Sequence, residues 1–561
     1  MEANDTVQIL IQSLLNAGVK YVFGVPGAKI DSVFNALLDH PEIKLVVCRH
    51  EQNAAFIAYA VGKLTGCPGV CLVTSGPGTS NLVTGLVTAT DEGSPVVALT
   101  GAVQRGQSTK RTHQSLRTVE LLTPVTKKVM ATIMKDQVAE ILVEAFRVAS
   151  THPRGATAVS LPIDVMAIGA KSSIPAFPAA AFSPPSYGPS ATTLLRQASD
   201  LIESAKFPVL FLGMRACDPH VTPAIHDFLK RHPIPVIETF QAAGSISKEL
   251  VHLFFGRVGL FRNQPGDKLL SHSDLVITVG YDQAEYDANI WNSSKKFSIL
   301  HVDYIAAEYG HYYAPKLELI GSIAENISSL SNQLRNVASP QNTEMVAGIS
   351  TEFYAWQETP EAKPTESGLV HPLYFIRLLQ SMISPSTTVI SDVGSIYIWL
   401  SRFFFSYTPN TFLVSNAQQT LGVALPWAIG ASLVQDPPCS QRVISISGDG
   451  GFMFSSQEMA TAVKLGCQIT HFIWNDGKYN MVEFQEVDKY GRSAGVELGG
   501  VDFVKLAETY GAKGLRVSTS GDMEKVMREA LDAKGVCLVD VEIDYSHNHR
   551  LMQNVVADTI H

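Results

Sequence analysis

Short runs of consecutive apolar residues, many of them β-branched, recur along this chain and alternate with segments of helical pattern. A strand that is apolar throughout its length is buried on both faces, unlike a strand that alternates apolar and polar residues. Such strands, separated by helices, build parallel sheets with helices on each side. The sequence therefore predicts an α/β protein of doubly wound parallel sheets, with strands that begin near Tyr21, Leu45, Val70, Val96, Pro208, Pro235, Leu275, Ser298, Thr388, Arg442, Ile469 and Cys537.

Two proline-containing segments, 171–189 and 341–364, divide the 561 residues into three parts. Proline fixes φ and has no backbone N–H, so neither segment is expected to hold a long helix or a long sheet strand. The predicted domains are therefore residues 1–170, 190–340 and 365–561, each with its own strand–helix repeats. In sheets of this kind, ligands bind in the loops at the carboxyl ends of the strands, and functional residues are expected there.

Composition argues against several classes of protein. With 43 Lys and Arg against 52 Asp and Glu, the net charge is −9, unlike that of a protein that neutralises nucleic-acid phosphates. No apolar run approaches the roughly 18 residues that span a bilayer, and the N-terminus has no signal-peptide pattern. Most of the seven cysteines lie in apolar runs, and Cys67 and Cys71 lack partners for a zinc site. We expect a cytoplasmic protein without a nucleic-acid or membrane partner.

The most informative loop reads Ser447-Gly-Asp-Gly-Gly-Phe and follows the strand that begins at Arg442. A carboxylate between glycines suits Mg²⁺ beside a phosphate, because the acid binds the metal and the glycines let backbone N–H groups approach the phosphate. Asp476 ends the next strand, 27 residues after Asp449, which leaves room for one helix and one strand. Ordinary turn aspartates are the weaker alternative. The pattern predicts a magnesium–phosphate site at these two residues.

Two further loops are less specific. Gly76-Pro-Gly-Thr-Ser-Asn81 begins like a dinucleotide fingerprint, but Asn81 occupies the position of the third glycine and no acid follows at the usual distance. A nicotinamide site is therefore not expected, and a plain strand-to-helix turn explains this loop. Glu51 follows a strand and begins an alanine-rich helix, where an acid favoured by the helix dipole is the simpler interpretation.

Taken together, these residues resemble the thiamine diphosphate (ThDP)-dependent enzymes. Gly448-Asp-Gly, followed by a loop at Asp476, is similar to the metal–diphosphate motif of that family, and Arg49-His-Glu is similar to its glutamate motif. The resemblance covers essentially the whole chain. It implies a pyrimidine-binding domain, a central domain and a diphosphate-binding domain, in that order.

Longer strings resemble the catabolic, flavin-independent acetolactate synthases within that family. These strings begin at Phe23, Thr112, Gly256, Gln418 and Tyr479. The anabolic, FAD-binding relatives carry Arg-Phe-Asp-Asp-Arg where this chain has Gly280-Tyr-Asp-Gln-Ala-Glu. The resemblance therefore implies ThDP and Mg²⁺ as cofactors and no bound FAD.

The resemblance also implies roles for individual residues at the cofactor. Glu51 is expected to hydrogen-bond the pyrimidine ring, and Leu421 is expected to bend the cofactor at a position where many relatives have methionine. The ligands expected for Mg²⁺ are Asp449, Asp476 and the backbone carbonyl of Lys478. The other expected cofactor contacts are Gly394, Ser395, Ile396, Gly448, Gly450, Gly451, Tyr479 and Met481.

The implied reaction condenses two pyruvate molecules to 2-acetolactate and CO₂ through a carbanion–enamine intermediate on ThDP. Gln114, His113 and Gln485 are expected near the substrate, although a surface position is an equal alternative for His113 and for Lys29. The sequence leaves open another ThDP-dependent decarboxylase, a lyase or a pyruvate oxidase. It disfavours a catalytically silent scaffold, because the motif acids are present.

The expected partners are further copies of the same chain. The family glutamate and the metal-binding aspartates lie in different predicted domains, and the family resemblance implies that each site forms between two subunits. A homodimer is the expected minimum, and a homotetramer is expected by analogy.

Overall fold

Three six-stranded parallel sheets organise the protein. The computed structural model describes residues 4–295, 297–340, 343–355, 363 and 368–552. Central strands such as Gly69–Val73 and Pro208–Leu212 are buried at every residue, because helices cover both faces of each sheet. The predicted α/β fold with three doubly wound parallel sheets is confirmed.

The first sheet has the strand order β3-β2-β4-β5-β7-β6. The strands are β1 (Asn4–Asp5), β2 (Tyr21–Val25), β3 (Lys44–Val47), β4 (Gly69–Val73), β5 (Val96–Ala102), β6 (Lys128–Ala131), β7 (Ala156–Pro162) and β8 (Lys171–Ser172). The helices are α1 (Thr6–Asn16), α2 (Asp31–Ala36), α3 (Glu51–Thr65), α4 (Pro77–Ser80), α5 (Val83–Asp91), α6 (Thr118–Leu122) and α7 (Val138–Ser150). The two short strands β1 and β8 pair antiparallel outside this sheet.

The central sheet has the order β11-β10-β9-β12-β13-β14, which is the order of dinucleotide-binding folds. Its strands are β9 (Pro208–Leu212), β10 (Val236–Thr239), β11 (Phe254–Val258), β12 (Leu275–Val279), β13 (Ser298–Asp303) and β14 (Leu317–Ile320). Its helices are α8 (Thr192–Ser204), α9 (Thr222–Arg231), α10 (Pro265–His272), α11 (Ala288–Trp291), α12 (Ile323–Gln333) and α13 (Glu344–Ala355).

The third sheet, β16-β15-β17-β18-β20-β19, repeats the connection pattern of the first. Its strands are β15 (Val389–Ser391), β16 (Phe412–Val414), β17 (Val443–Gly448), β18 (Ile469–Asn475), β19 (Lys513–Val517) and β20 (Cys537–Glu542). Its helices are α14 (Pro372–Met382), α15 (Ser395–Phe403), α16 (Ala424–Leu433), α17 (Asp449–Met453), α18 (Met459–Leu465), α19 (Asn480–Tyr490), α20 (Phe503–Thr509), α21 (Met523–Leu531) and α22 (His549–Met552).

One helix corrects the sequence analysis. Segment 341–364 is predicted to hold no long helix, but α13 lies inside it. Both prolines of the segment, at 360 and 364, follow this helix in the sequence and so do not interrupt it. Val346, Ile349 and Phe353 bury one face of the helix against the central domain. Residues 341–342, 356–362 and 364 lie outside the described residues, and the domain boundaries stay predictions.

The first and third domains share one apolar core inside the chain. Helices α3 and α16 pack against each other, and the rings of Tyr59 and Trp427 stack with centroids 4.2 Å apart. The close approach depends on Gly430, because a Cβ there would lie 2.7 Å from the Cβ of Ala60. This contact fixes the first domain relative to the third.

Candidate active site

An open cavity, with about 470 Å³ of empty space that includes part of the solvent at its mouth, lies at the carboxyl ends of β15, β17 and β18. The connections reverse direction between β15 and β17, which is where parallel sheets of this type bind ligands. The cavity brings together the predicted metal ligands and every predicted cofactor contact except Glu51. Its walls are formed by Val393, Gly394, Ser395, Ile396, Leu421, Gly448, Asp449, Gly450, Gly451, Trp474, Asp476, Lys478, Tyr479, Asn480, Met481, Val482 and Tyr545.

Two acidic side chains in this cavity suit a divalent cation. Asp449 begins α17, and Asp476 follows β18 directly. Burial raises the pKa of Asp449 to about 6. Burial, together with the nearby charge of Asp449, raises the pKa of Asp476 to about 7. A bound cation would favour the ionised form of both carboxylates, so the pair fits a metal such as Mg²⁺.

The neighbouring residues orient these carboxylates. Asp449 Oδ1 accepts a hydrogen bond from the N–H of Gly450 at 2.9 Å, and Asp476 Oδ2 accepts one from Asn480 Nδ2 at 2.7 Å. The ammonium of Lys478 pairs with Glu483 at 2.7 Å, which leaves its backbone carbonyl as the group that could reach a metal. In the part of the chain that the structure describes, no three His, Cys, Asp or Glu side chains cluster at a metal site. Mg²⁺ often has few carboxylate ligands and completes its shell with phosphate and water oxygens.

Glycines line the part of the cavity that suits a diphosphate. Gly394 precedes α15 with φ +126° and offers no side chain to cap the first turn of that helix. Backbone N–H groups at a helix start bind anions well, and the helix dipole favours the same charge. Gly450 faces the ring of Tyr479, and a Cβ there would lie 2.5 Å from Cε1. The glycine-rich loop therefore keeps the backbone close to the space that a phosphate would fill.

Asp392 ties the segment that carries Leu421 to this cavity, although no sequence pattern indicated it. Its Oδ1 accepts hydrogen bonds from the N–H groups of Gly422 at 2.8 Å and Val393 at 2.9 Å, and its Oδ2 accepts one from Ser447 Oγ at 2.9 Å. Burial raises the pKa of Asp392 to about 6. Leu421 lies half-buried on the cavity wall, directly before the Gly422 whose N–H donates to Asp392.

A second group of predicted residues lies in the first domain. Glu51 is the first residue of α3, and its Oε2 accepts a hydrogen bond from Asn81 Nδ2 at 3.0 Å. Gln114 lies beside the same glycine-rich turn, since a Cβ on Gly76 would lie 3.1 Å from the Cβ of Gln114. Gln114 has φ +59°, which is unusual for a residue other than glycine. The turn at 76–81 therefore supports Glu51, with Asn81 in the place of the missing third glycine.

A buried acid of the third domain fixes the start of α3. Glu458 Oε1 accepts hydrogen bonds from the N–H groups of Arg49 at 2.7 Å and His50 at 3.2 Å, and from Asn53 Nδ2 at 3.3 Å. The side chain is fully buried. These bonds hold the backbone immediately before Glu51, and they join residues about 400 positions apart, which no local pattern predicts.

The residues expected near the substrate are not gathered in the cavity of a single chain. Glu51, Gln114, His113 and Gln485 are absent from its walls. His113 is exposed, whereas Gln114 and Gln485 are half-buried, Gln485 within α19. Lys29 is half-buried after β2 and does not line the cavity either. One chain thus carries two separate groups, one around Glu51 and one around Asp449.

Comparison with known proteins identifies the class. Models of the thiamine pyrophosphate enzymes match residues 4–121 as the N-terminal TPP-binding domain, 195–330 as the central domain and 392–541 as the C-terminal TPP-binding domain. The chain belongs to the thiamine pyrophosphate, or ThDP, enzymes.

Full-length relatives show to which group of ThDP enzymes the chain is most similar. The chain is 45% identical to "Acetolactate synthase" of Bacillus subtilis (strain 168) over 553 residues, 98% of this chain and 95% of the relative. It is 41% identical to "Acetolactate synthase, catabolic" of Raoultella terrigena, with 97% and 96% covered, and 30% identical to "Acetolactate synthase" of Mycobacterium leprae, with 93% and 84% covered. Within the family it falls among the acetolactate synthases, and the corresponding prediction is confirmed.

Two global features complete the description. Among the helices described, none combines the length and the hydrophobicity needed to cross a membrane. All seven cysteines are free thiols, and most are buried.

Proposed function

We propose that this protein condenses two pyruvate molecules to 2-acetolactate with release of CO₂, using ThDP and Mg²⁺. The cavity at the ends of β15, β17 and β18 carries the proposal, because it collects the expected metal ligands and every expected cofactor contact except Glu51. The full-length acetolactate synthase relatives support it independently. When bound, ThDP supplies an electron sink for the carbanion that decarboxylation leaves.

The third domain holds the charged end of the cofactor. Asp449, Asp476 and the carbonyl of Lys478 are the proposed Mg²⁺ ligands, and the N–H groups of 394–396 and 450–451 are the proposed diphosphate donors. The raised pKa values of the two aspartates support this assignment, since a bound cation would favour their ionised forms and offset the cost of burying them. The apolar side chains of Leu421 and Met481 orient the ring end of the cofactor.

Glu51 is the proposed proton carrier at the pyrimidine ring. Asn81 occupies its Oε2, while Oε1 accepts no hydrogen bond from any residue in the described ranges. Oε1 can therefore hold a proton against the ring nitrogen of the pyrimidine, and Asn81 keeps the carboxylate in one orientation. Gln114, His113 and Gln485 are proposed to contact pyruvate and its products.

The two separate groups support a homodimer in which the first domain of one subunit covers the cavity of the other. Helix α19 borders this cavity and has no buried residue, although it carries Met481, Val482 and Val487. Met453 and Phe454, which follow the metal loop, are also almost half exposed. A second subunit would bury this apolar surface and exclude water from the site. A pair of such dimers gives the expected tetramer, and sedimentation analysis of the purified protein tests both states.

The central domain supports the proposal that no FAD binds. At the point between β9 and β12 where a dinucleotide would lie, the N–H of Arg215 donates to the carbonyl of Gly280 at 3.1 Å, which continues the pairing of the two strands into the loops that follow them. The guanidinium of Arg215 binds Asp303 and Asp282, both at 2.8 Å, and is not free for a pyrophosphate. Purified protein without flavin absorbance agrees with this proposal, and a yellow protein contradicts it. We also place the protein in the cytoplasm, where its free thiols stay reduced.

The decisive experiment incubates the purified protein with ThDP, Mg²⁺ and pyruvate and measures acetolactate after its acid conversion to acetoin. Glu51→Gln is expected to remove most of the activity, whereas the exposed control Glu42→Gln retains it. Acetaldehyde as the main product would indicate a decarboxylase instead. The proposal is refuted if the wild type forms no acetolactate, or if Glu51→Gln leaves the rate unchanged.

A further inference from the structure

One buried carboxylate joins all three domains. Glu92 follows α5 in the first domain and is fully buried. It accepts a hydrogen bond from Gln241 of the central domain and several from residues 415–418 of the third domain. Burying an ionised group costs free energy unless hydrogen bonds satisfy it. The donors around Glu92 therefore fix the position of the carboxylate relative to the segments that carry them.

Both oxygens of this carboxylate are used. Oε1 accepts Ser415 Oγ at 2.7 Å and the N–H groups of 417 and 418 at 3.1 and 3.3 Å. Oε2 accepts Gln241 Nε2 and the N–H of Asn416 at 3.3 Å. Among the described residues, no lysine or arginine lies within ion-pair distance of Glu92. Burial raises the pKa of Glu92, and these hydrogen bonds, together with the nearby charge of Lys63, act against that shift. In Glu92→Gln, the side-chain amide has only one acceptor oxygen. Its NH₂ group would face some of the donors that now bind the carboxylate.

The segment that Glu92 holds leads directly to Leu421. Ser415 Oγ accepts the N–H of Thr420 at 3.1 Å, and Thr420 Oγ1 lies 2.8 Å from Thr88 Oγ1 of the first domain. Immediately after Leu421, the N–H of Gly422 donates to Asp392. Leu421 therefore stands between two buried acids, each of which accepts backbone N–H groups of the segment 415–422.

We propose that Glu92 is a positioning residue that sets Leu421 against the cofactor by clamping residues 415–418; this rests on the proposed ThDP site. Glu92 itself is absent from the cavity walls, so it is expected to act through the segment 415–418 and not by direct contact. Its effect is specific to the ring end of the cofactor, because the metal and diphosphate groups are held by other loops. The first domain thus fixes a cofactor contact of the third domain within the same chain.

A double-mutant cycle on the full-length protein tests this inference. Glu92→Gln, Leu421→Ala and the double variant are titrated with ThDP at saturating Mg²⁺. The signal is the change in intrinsic tryptophan fluorescence, since Trp474 lies in the cavity wall. Glu92→Gln is expected to weaken ThDP binding about tenfold. The double variant is expected to bind no more weakly than Leu421→Ala, because the two residues act through one contact.

Two controls separate a positioning role from general damage. Inorganic pyrophosphate with Mg²⁺ is expected to bind Glu92→Gln as well as wild type, since it contacts only the metal and diphosphate loops. Asp267→Asn, another buried acid-to-amide change but in the central domain, is expected to leave ThDP binding unchanged. If Glu92→Gln does not fold, Ser415→Ala replaces it in the same cycle and removes one of the hydrogen bonds.

Each outcome decides the matter. Three results would overturn the role of Glu92 and leave the proposed function intact. They are unchanged ThDP binding in a folded Glu92→Gln variant, the same loss of ThDP binding on adding Glu92→Gln to Leu421→Ala as to wild type, and a loss of pyrophosphate binding as large as the loss of ThDP binding. A wild type that binds pyrophosphate with Mg²⁺ but not ThDP overturns the proposed function as well.

Discussion

The hydrogen bond from Asn81 to Glu51 offers a direct test of the arrangement in the first domain. In Asn81→Ala, Glu51 loses the donor that holds its Oε2 at 3.0 Å, while its helix and the buried Glu458 that fixes the backbone remain. The carboxylate can then rotate away from the orientation in which Oε1 meets the pyrimidine. We therefore expect a slower reaction from a protein that still folds.

The size of the effect follows from the kind of bond. A hydrogen bond to a charged group contributes about 1.5–3 kcal/mol, and a barrier raised by that amount lowers kcat about 10- to 150-fold. The KM for pyruvate should change much less, because Asn81 contacts Glu51 and not the proposed substrate residues. Asn81→Asp should also lower kcat, because it replaces the donor to Glu51 Oε2 with a second acceptor.

Steady-state acetolactate formation at saturating ThDP and Mg²⁺ measures these parameters. Asn289→Ala, an exposed asparagine in the central domain, is the matched control and should retain the wild-type kcat. Circular dichroism and the thermal midpoint confirm that both variants fold. An unchanged kcat in Asn81→Ala, or a loss that appears only in KM, would show that Asn81 does not orient Glu51.

Three further perturbations follow from the structure. Gly450→Ala places a methyl group 2.5 Å from Tyr479 and should lower stability by about 1–3 kcal/mol in thermal unfolding, whereas Gly500→Ala, in open space, should change nothing. Burial raises the pKa of Glu285 to about 8, so its stabilising contribution is present at low pH and is lost as pH rises toward that value. The thermal midpoint of Glu285→Gln, relative to that of wild type, should therefore rise with pH. A difference between the two midpoints that stays constant across pH would contradict this. Asp449→Asn should weaken Mg²⁺ binding at least about tenfold in a metal titration with ThDP present, and equal affinity would exclude it as a ligand.

Much of the fold was predictable because its determinants are local. A run such as Val70-Cys-Leu-Val is apolar at every position, and the structure buries all of these residues in β4. The grouping of Asp449 with Asp476 was predictable for a related reason, since neighbouring parallel strands end at the same edge of a sheet. The helix α13 departs from the prediction because the prolines nearest to it in the sequence, at 340 and 360, lie outside Glu344–Ala355, and proline opposes a helix at positions within it.

The supporting residues were not predictable, because their partners are distant in sequence. Glu92 binds residues more than 320 positions away, and Glu458 binds residues more than 400 positions away. Nothing in the sequence next to either acid distinguishes it from a surface glutamate. Asn81 did carry a signal, its departure from the glycine pattern, but only the structure connects that departure to Glu51.

The division of the catalytic groups between two domains has a genetic consequence. In the proposed dimer, a chain lacking the Glu51 carboxylate and a chain lacking the Asp449 carboxylate are each inactive alone. When the two chains pair, one site takes both altered residues and is inactive. The other site takes Glu51 from one chain and Asp449 from the other, and is intact. Two inactive alleles expressed in one cell should therefore complement each other, and the recovered activity reports how often unlike subunits meet.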